Sequence, residues 1–201
     1  MSGQALVPGT GSLAQGQSPA SAGDPVSPPA AAVVLSAQLQ DGSEARPERL
    51  SVHVYGGKAA LCFEPDETRS GVPTIAVDAA HAVGEREYSW KEKLRIQFTT
   101  LELPQVVAVL VGSVPRCEFK GHGPGKNKGF SLENQGGHFF AKVFAPGAVR
   151  AVPMPVEYAY PVAALFLRQL GLASPWLGSD AILSLVRATA PKPGVAAPPP
   201  R

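Results

Sequence analysis

The sequence predicts an α+β domain in which two antiparallel four-stranded sheets are braced by helices, and three features carry that prediction. Two sets of four short runs, rich in β-branched and aromatic residues, are bounded by Gly, Pro, Asn and Asp. Each set is followed by a stretch whose apolar residues recur at helical spacing. The 21 prolines and 21 glycines are spread unevenly over the 201 residues and mark the ends, which delimits a folded region over 48–178.

In chain order, the first four runs cover 50–55, 58–64 after the Gly56-Gly57 pair, 74–83 and 88–99. The last of these alternates. Trp90, Glu92, Leu94, Ile96 and Phe98 fall on one face, and Lys91, Lys93, Arg95, Gln97 and Thr99 on the other. One face is therefore expected in the core, and the other is a row of cations and amides facing water or a polyanion. A helix follows, signalled by Thr99 and Glu102 at capping-box spacing, Pro104 in the first turn and Gly112 as a stop. Val106, Val107, Leu110 and Val111 form its buried stripe. The second set of strands covers 116–120, 126–133, 138–144 and 149–153, with Gly136-Gly137 as a hairpin turn that needs positive φ. The final helix is predicted over 156–170, with Val162, Leu165, Phe166 and Leu170 inward; Pro161 either kinks it or sits at N1 of a shorter helix. A short helix over 179–189 closes the ordered region.

The ends read differently. Residues 1–47 are dominated by Gly, Ser, Ala, Pro and Gln, contain no aromatic residue and have Arg46 as their first cation, so too little apolar surface is available to offset ordering entropy. The apolar stretch 30–35 is too short to span a bilayer and follows no basic segment, which argues against a signal peptide; an organellar leader would be Arg-rich. A cytoplasmic, bacterial or phage-related setting without membrane association is the expectation. The segment 190–201, with Pro191, Pro193 and Pro198 to Pro200, reads as a solvated tail. Cys62 and Cys117 lie in apolar runs as buried small hydrophobes, not as a disulfide framework.

A formal net charge of +2 does not by itself announce a polyanion ligand, but its distribution is uneven. Between Lys91 and Lys142 eight cations (Lys91, Lys93, Arg95, Arg116, Lys120, Lys126, Lys128 and Lys142) face Glu92, Glu102, Glu118 and Glu133. Binding a single strand without reading its sequence needs cations along the phosphates and aromatic planes for unpaired bases. Lys58, Lys91, Lys93, Arg95, Lys120, Lys126, Lys128 and Lys142 supply the first; Tyr55, Tyr88, Trp90, Phe119, Phe130, Phe139 and Phe140 are candidates for the second. Alternation sends Phe139 and Phe140 to opposite faces, so one of them belongs to the core. An ordinary solvated face is the competing reading of the cation row.

Catalytic and metal readings fail on spacing. The 121–127 loop falls one residue short of a phosphate loop, has Asn127 where Mg²⁺ would need Ser or Thr, and precedes a strand instead of a helix; it is expected to be a flexible basic loop. Cys117, His122 and His138 match no zinc pattern, and Ser131, Glu133 and His138 lack the turn that builds an oxyanion site. No enzyme activity, cofactor or metal is expected.

The string Tyr55-Gly56-Gly57-Lys58-Ala59-Ala60-Leu61 resembles the Lys-Gly-Lys-Ala-Ala-Leu motif of the Whirly family of single-stranded DNA-binding proteins. Glu64-Pro65, Tyr88-Ser89-Trp90, Arg116-Cys117-Glu118-Phe119, Gly137-His138-Phe139-Phe140, Val152-Pro153-Met154 and Pro175-Trp176-Leu177-Gly178 match further parts of that pattern in the same order. The resemblance implies two roughly perpendicular four-stranded sheets with helices between them, a homotetramer, and single-stranded DNA held between neighbouring subunits. The cation and aromatic pattern predicts nucleic-acid contacts among Lys58, Tyr88, Trp90, Lys91, Lys93, Arg95, Phe119, Lys120, Lys126, Lys128, Phe139 and Lys142, and the resemblance implies an assembly role for the motif residues Lys58, Ala59, Ala60 and Leu61. It also implies a role in DNA protection, repair, recombination, transfer or transcription regulation, with RNA as an alternative ligand and a pure assembly module as another outcome. Two departures stand out: Gly56 replaces the first motif lysine, and the loop between Lys120 and Lys126 is short and glycine-rich.

Overall fold

The computed structural model describes residues 50–191. The tail expected over 1–47, and the Pro-rich tail from 192 onward, lie outside the described residues. Two antiparallel sheets with helices form the α+β architecture that the sequence predicts.

The first sheet is a meander of β1 (Val52–Tyr55), β2 (Ala59–Glu67) and β3 (Pro73–Gly84), with the far edge of β3 shared by β4 (Glu87–Tyr88) and β5 (Leu94–Gln97). The single strand expected over 88–99 is thus broken in two by a 3₁₀ turn at Trp90–Glu92. Because three residues of 3₁₀ helix do not preserve the two-residue period of a strand, the phase resets across the turn. Downstream the alternation holds: Ile96 and Phe98 are buried, and Arg95 and Gln97 face outward. Upstream it fails, and Trp90 lies on the outer face. In the cross-strand rows, Val52, Phe63, Val77 and Ile96 share the core face, as do Val54, Leu61, Ala79 and Leu94.

The second sheet runs β6 (Arg116–His122), β7 (Lys128–Asn134), β8 (His138–Ala145) and β9 (Ala148–Pro155) in sequence order. Its inner face carries Cys117, Phe119, Phe130, Leu132, Phe139, Ala141, Val143, Val152 and Met154. The β7–β8 turn has Gly136 at φ +85°, the region open to glycine without a Cβ clash. The two sheets meet where the β1–β2 turn rests on β9. A Cβ on Gly56 would stand 3.2 Å from Val152 Cγ1 and 3.5 Å from Pro153 Cδ, so the missing side chain permits this close approach.

Three helices fill the remaining space. At the start of α1 (Leu103–Leu110) the Glu102 carboxylate accepts the Thr99 backbone N–H at 2.8 Å, which is half of the anticipated capping box, and Pro104 stands in the first turn. The chain leaves α1 through Gly112 at φ +75°. A 3₁₀ turn at Val156–Tyr158 leads into α2 (Ala159–Ala173), so the helix begins later than predicted and Pro161 sits in its first turn, where a missing N–H leaves no hydrogen bond broken. α3 (Ser179–Thr189) follows and buries Ile182 and Val186.

Phe98 joins the layers. Its ring lies 4.9 Å from Phe130, 5.5 Å from Phe166 and 6.3 Å from Phe119 between centroids, each edge-on, so it touches the second sheet and α2 at once. The buried Gln169 of α2 donates to the Thr74 carbonyl at 2.7 Å, and the Thr74 hydroxyl donates to the Phe98 carbonyl at 2.7 Å, which satisfies polar groups that would otherwise be stranded. Replacing Phe98 by Ala is expected to cost about 3–5 kcal/mol in urea denaturation; a loss below about 1 kcal/mol would show that Phe98 does not join the layers.

Candidate nucleic-acid interface

The face of the first sheet opposite the core holds the groups with ligand chemistry. The row His53, Cys62, Asp78 and Arg95 crosses it, flanked by Tyr55, Ala60 and Ala80. Four rings form a chain: Tyr88 is 5.5 Å from Tyr55, Tyr55 stacks on His53 at 5.7 Å, and Trp90 meets His53 edge-on at 5.7 Å. All four are half-buried. The Tyr88 hydroxyl donates to the Gly56 carbonyl at 2.8 Å and fixes that ring over the β1–β2 turn. Burial lowers the His53 pKa and raises that of Tyr55, which favours the uncharged form of both.

Beside the rings stands a lattice of charge. The Arg95 guanidinium donates to Glu64 at 2.5 Å, Asp78 at 2.9 Å and Asp66 at 3.1 Å, and the Lys93 ammonium donates to Asp78 at 2.6 Å. Gln97 adds a bond to Asp66 at 2.8 Å. Asp78 is 3% exposed, and its Oδ1 has no hydrogen-bond partner among the described residues. Partial burial works against ionisation of both Arg95 and Asp66 and is outweighed in each. The three carboxylates raise the Arg95 pKa, while Gln97, the Glu67 N–H and Arg95 hold Asp66 below the usual carboxylate range. Burial, with Glu64 and Asp78 nearby, pushes the Cys62 thiol up to about 12 and leaves it unreactive at neutral pH.

This arrangement corrects the expected row of cations. Lys93 and Arg95 are paired with carboxylates from β2 and β3, and only Lys91, exposed on the 3₁₀ turn, is left without one on that stretch among the described residues. Lys58 and Lys126 are likewise exposed and without a carboxylate partner among the described residues. Lys120 pairs with Glu118 at 2.8 Å, and the Lys128 ammonium lies 3.4 Å from the Arg95 carbonyl.

Phe119 and Phe139, expected as stacking platforms, are buried in the core at 7% and 2% exposure; strand alternation turns them inward. Ala59, Ala60 and Leu61, expected at an assembly surface, are also buried, with Leu61 facing the core opposite Val54. Of that string only Lys58 reaches the surface. At the end of β6, just before the glycine-rich loop, buried His122 places Nε2 3.1 Å from the Glu102 carboxylate.

The outer face of the second sheet brings together residues that the sequence reading scattered. Phe140, Lys142 and Phe144 alternate along β8, with the Lys142 ammonium 5.3 Å from the Phe140 ring centroid. Phe144 lies over Gly129, where a Cβ would come within 2.3 Å of the ring. His53 and Phe144 were not singled out from sequence, although period-2 counting from Val52 and from Phe140 places both on outer faces.

The depressed Asp66 pKa fixes a pH dependence. A carboxylate whose folded pKa lies below its unfolded value stabilises the fold fully above about pH 4, and that contribution disappears as pH falls through the folded value. Asp66→Asn should therefore flatten the acid limb of the stability curve measured by thermal melts at stepped pH; an unchanged limb would contradict the pairing.

No protein-family model matches the chain, and no curated protein matches it in sequence. Solved structures do. WHY3 from Arabidopsis thaliana aligns with TM-score 0.50 and 22% identity over 69% of this chain and 95% of its own. WHY1 from Arabidopsis thaliana aligns with TM-score 0.52 and 20% identity over 70% of this chain and 92% of its own. The plant transcriptional regulator PBF-2 aligns with TM-score 0.52 and 20% identity over 74% and 90%. The chain has a Whirly-like fold.

Proposed function

We propose that this protein binds single-stranded nucleic acid, DNA in preference to RNA, without reading its sequence and without catalysing a reaction. The observation that carries this reading is the chain of four partly exposed rings, His53, Tyr55, Tyr88 and Trp90, laid across one sheet face. Unpaired bases present planes, and stacking on aromatic side chains contributes about 1–3 kcal/mol per base regardless of base identity. Lys58, Lys91 and Lys126 are exposed and no carboxylate among the described residues neutralises them, which suits them to meeting phosphates. The Whirly-like fold and the motif string at 55–61 support the same ligand class.

A homo-oligomer, a tetramer or larger, suits this chemistry. Joining several weak sites on one particle multiplies affinity through effective concentration. Lys58 projects from a turn whose backbone is held by the Ala82 N–H donating to the Lys58 carbonyl at 3.0 Å, which suits contact with a neighbouring subunit as well as with a strand. The biological setting of such a binder is protection, repair, recombination or transfer of exposed DNA, or regulation of transcription.

The neutralised lattice around Arg95 favours a second reading, an assembly module that keeps the fold without the ligand. Fluorescence anisotropy with labelled oligo-dT separates the two. Binding is expected with a log-affinity against log-salt slope of about −3, for roughly four phosphates at about 0.7 each. Trp90→Ala should weaken it about 5- to 100-fold, the equivalent of one lost stacking contact. Absent binding would favour the assembly module; a preference for duplex, or an unaffected Trp90→Ala variant, would contradict stacking of a single strand on the rings. Matched RNA and DNA competitors decide the sugar preference.

A further inference from the structure

Two cations that a polyanion would be expected to seek, Lys93 and Arg95, lie at the centre of the outer face, yet three carboxylates surround them. Glu64, Asp66 and Asp78 pair with Lys93 and Arg95, so neither of these cations is free for a phosphate. The roles of the three carboxylates differ with burial. Asp78 is almost wholly enclosed, and a buried carboxylate needs its cations for the fold to tolerate it. Glu64 and Asp66 keep 28% and 27% of their side chains exposed, and water could solvate them without Arg95. Their position beside Arg95 is not needed to satisfy a buried charge.

We infer that Glu64 and Asp66 act as a phosphate shield: they occupy Arg95 and repel phosphates from the centre of the face, so that a bound strand lies with its bases over the rings and its phosphates toward the periphery. The inference rests on the nucleic-acid reading above and adds the orientation of the ligand. Arg95 already has carboxylate partners, so a phosphate gains little by approaching it and meets Glu64 and Asp66 as like charges at close range. A base edge meets neither obstacle. Its amino and imino N–H groups find acceptor lone pairs on the two partly exposed carboxylates. At the rim, Lys91 has no such competitor among the described residues.

The test compares the full chain with the E64Q/D66N double variant, using labelled oligo-dT and inorganic polyphosphate, a backbone without bases. The wild type is expected to bind oligo-dT and to be displaced only weakly by polyphosphate. In the double variant polyphosphate should compete at least about fivefold better, and the oligo-dT salt slope should steepen by about 0.7 for each cation released. Unchanged polyphosphate competition, or a loss of affinity for both probes, would overturn the shield and leave Glu64 and Asp66 as residues that merely position Arg95. Thermal melting checks folding. Should the double variant fail to fold, Asp66→Asn alone serves, because its amide oxygen in the Oδ1 place still accepts from the Glu67 N–H, while the amide nitrogen removes the acceptor that Arg95 and Gln97 use. A wild type that ignores oligo-dT would sink the functional reading by itself; direct titration of both proteins with labelled polyphosphate then still decides the shield, by whether the variant gains binding.

Discussion

The residue just past β5, Phe98, ties both halves of the molecule together. Phe98 is packed edge-on against Phe119, Phe130 and Phe166, so the second sheet and α2 both close on one ring. With Phe98 and Ile96 committed inward, the pleat leaves Arg95 and Gln97 no choice but the outer face. The register with β3 then sets Arg95 beside Asp78, and β2 contributes Glu64 and Asp66 from the next strand over. Core packing therefore determines which charges meet on the surface.

That surface divides into parts with different obligations. Asp78 must keep its two cations because it is buried, and Arg95 in turn holds the two partly exposed acids, Glu64 and Asp66. The rings from His53 to Trp90 carry no comparable duty to the core: they lie on the solvent side of the sheet and touch chiefly one another. A ligand that offers planes and tolerates a weakly charged centre fits this division better than one recognised by phosphates alone. The outer face of the second sheet repeats the theme on a smaller scale, with Phe140, Phe144 and Lys142 on β8.

Local signals in the sequence were legible where the physics is local. Glu102 reaches back to the Thr99 N–H as the capping spacing required, Gly112 and Gly136 adopt the positive φ that their places called for, and Pro161 occupies a first helical turn. The order of strands and helices followed from periodicity for the same reason. Non-local facts were not legible. Arg95 finds acids 17, 29 and 31 residues away, and alternation assigns a residue to a face without saying which charges lie beside it on other strands. Trp90 was misplaced because a three-residue 3₁₀ turn resets the phase, a break with no Gly or Pro to announce it. Phe119 and Phe139 looked like platforms by residue type, but a core that needs aromatic volume competes for the same side chains.

The central claim is that a single strand stacks on the outer face of the first sheet. Ultraviolet cross-linking of the full chain to an oligonucleotide carrying photoreactive uracil, followed by mass spectrometry of the linked peptides, tests it most directly. The account predicts adducts on Tyr55, Tyr88 or Trp90, suppressed by unlabelled oligo-dT and largely unaffected by polyphosphate. Adducts confined to the second sheet around Phe140 and Phe144, or competed equally by polyphosphate, would contradict it.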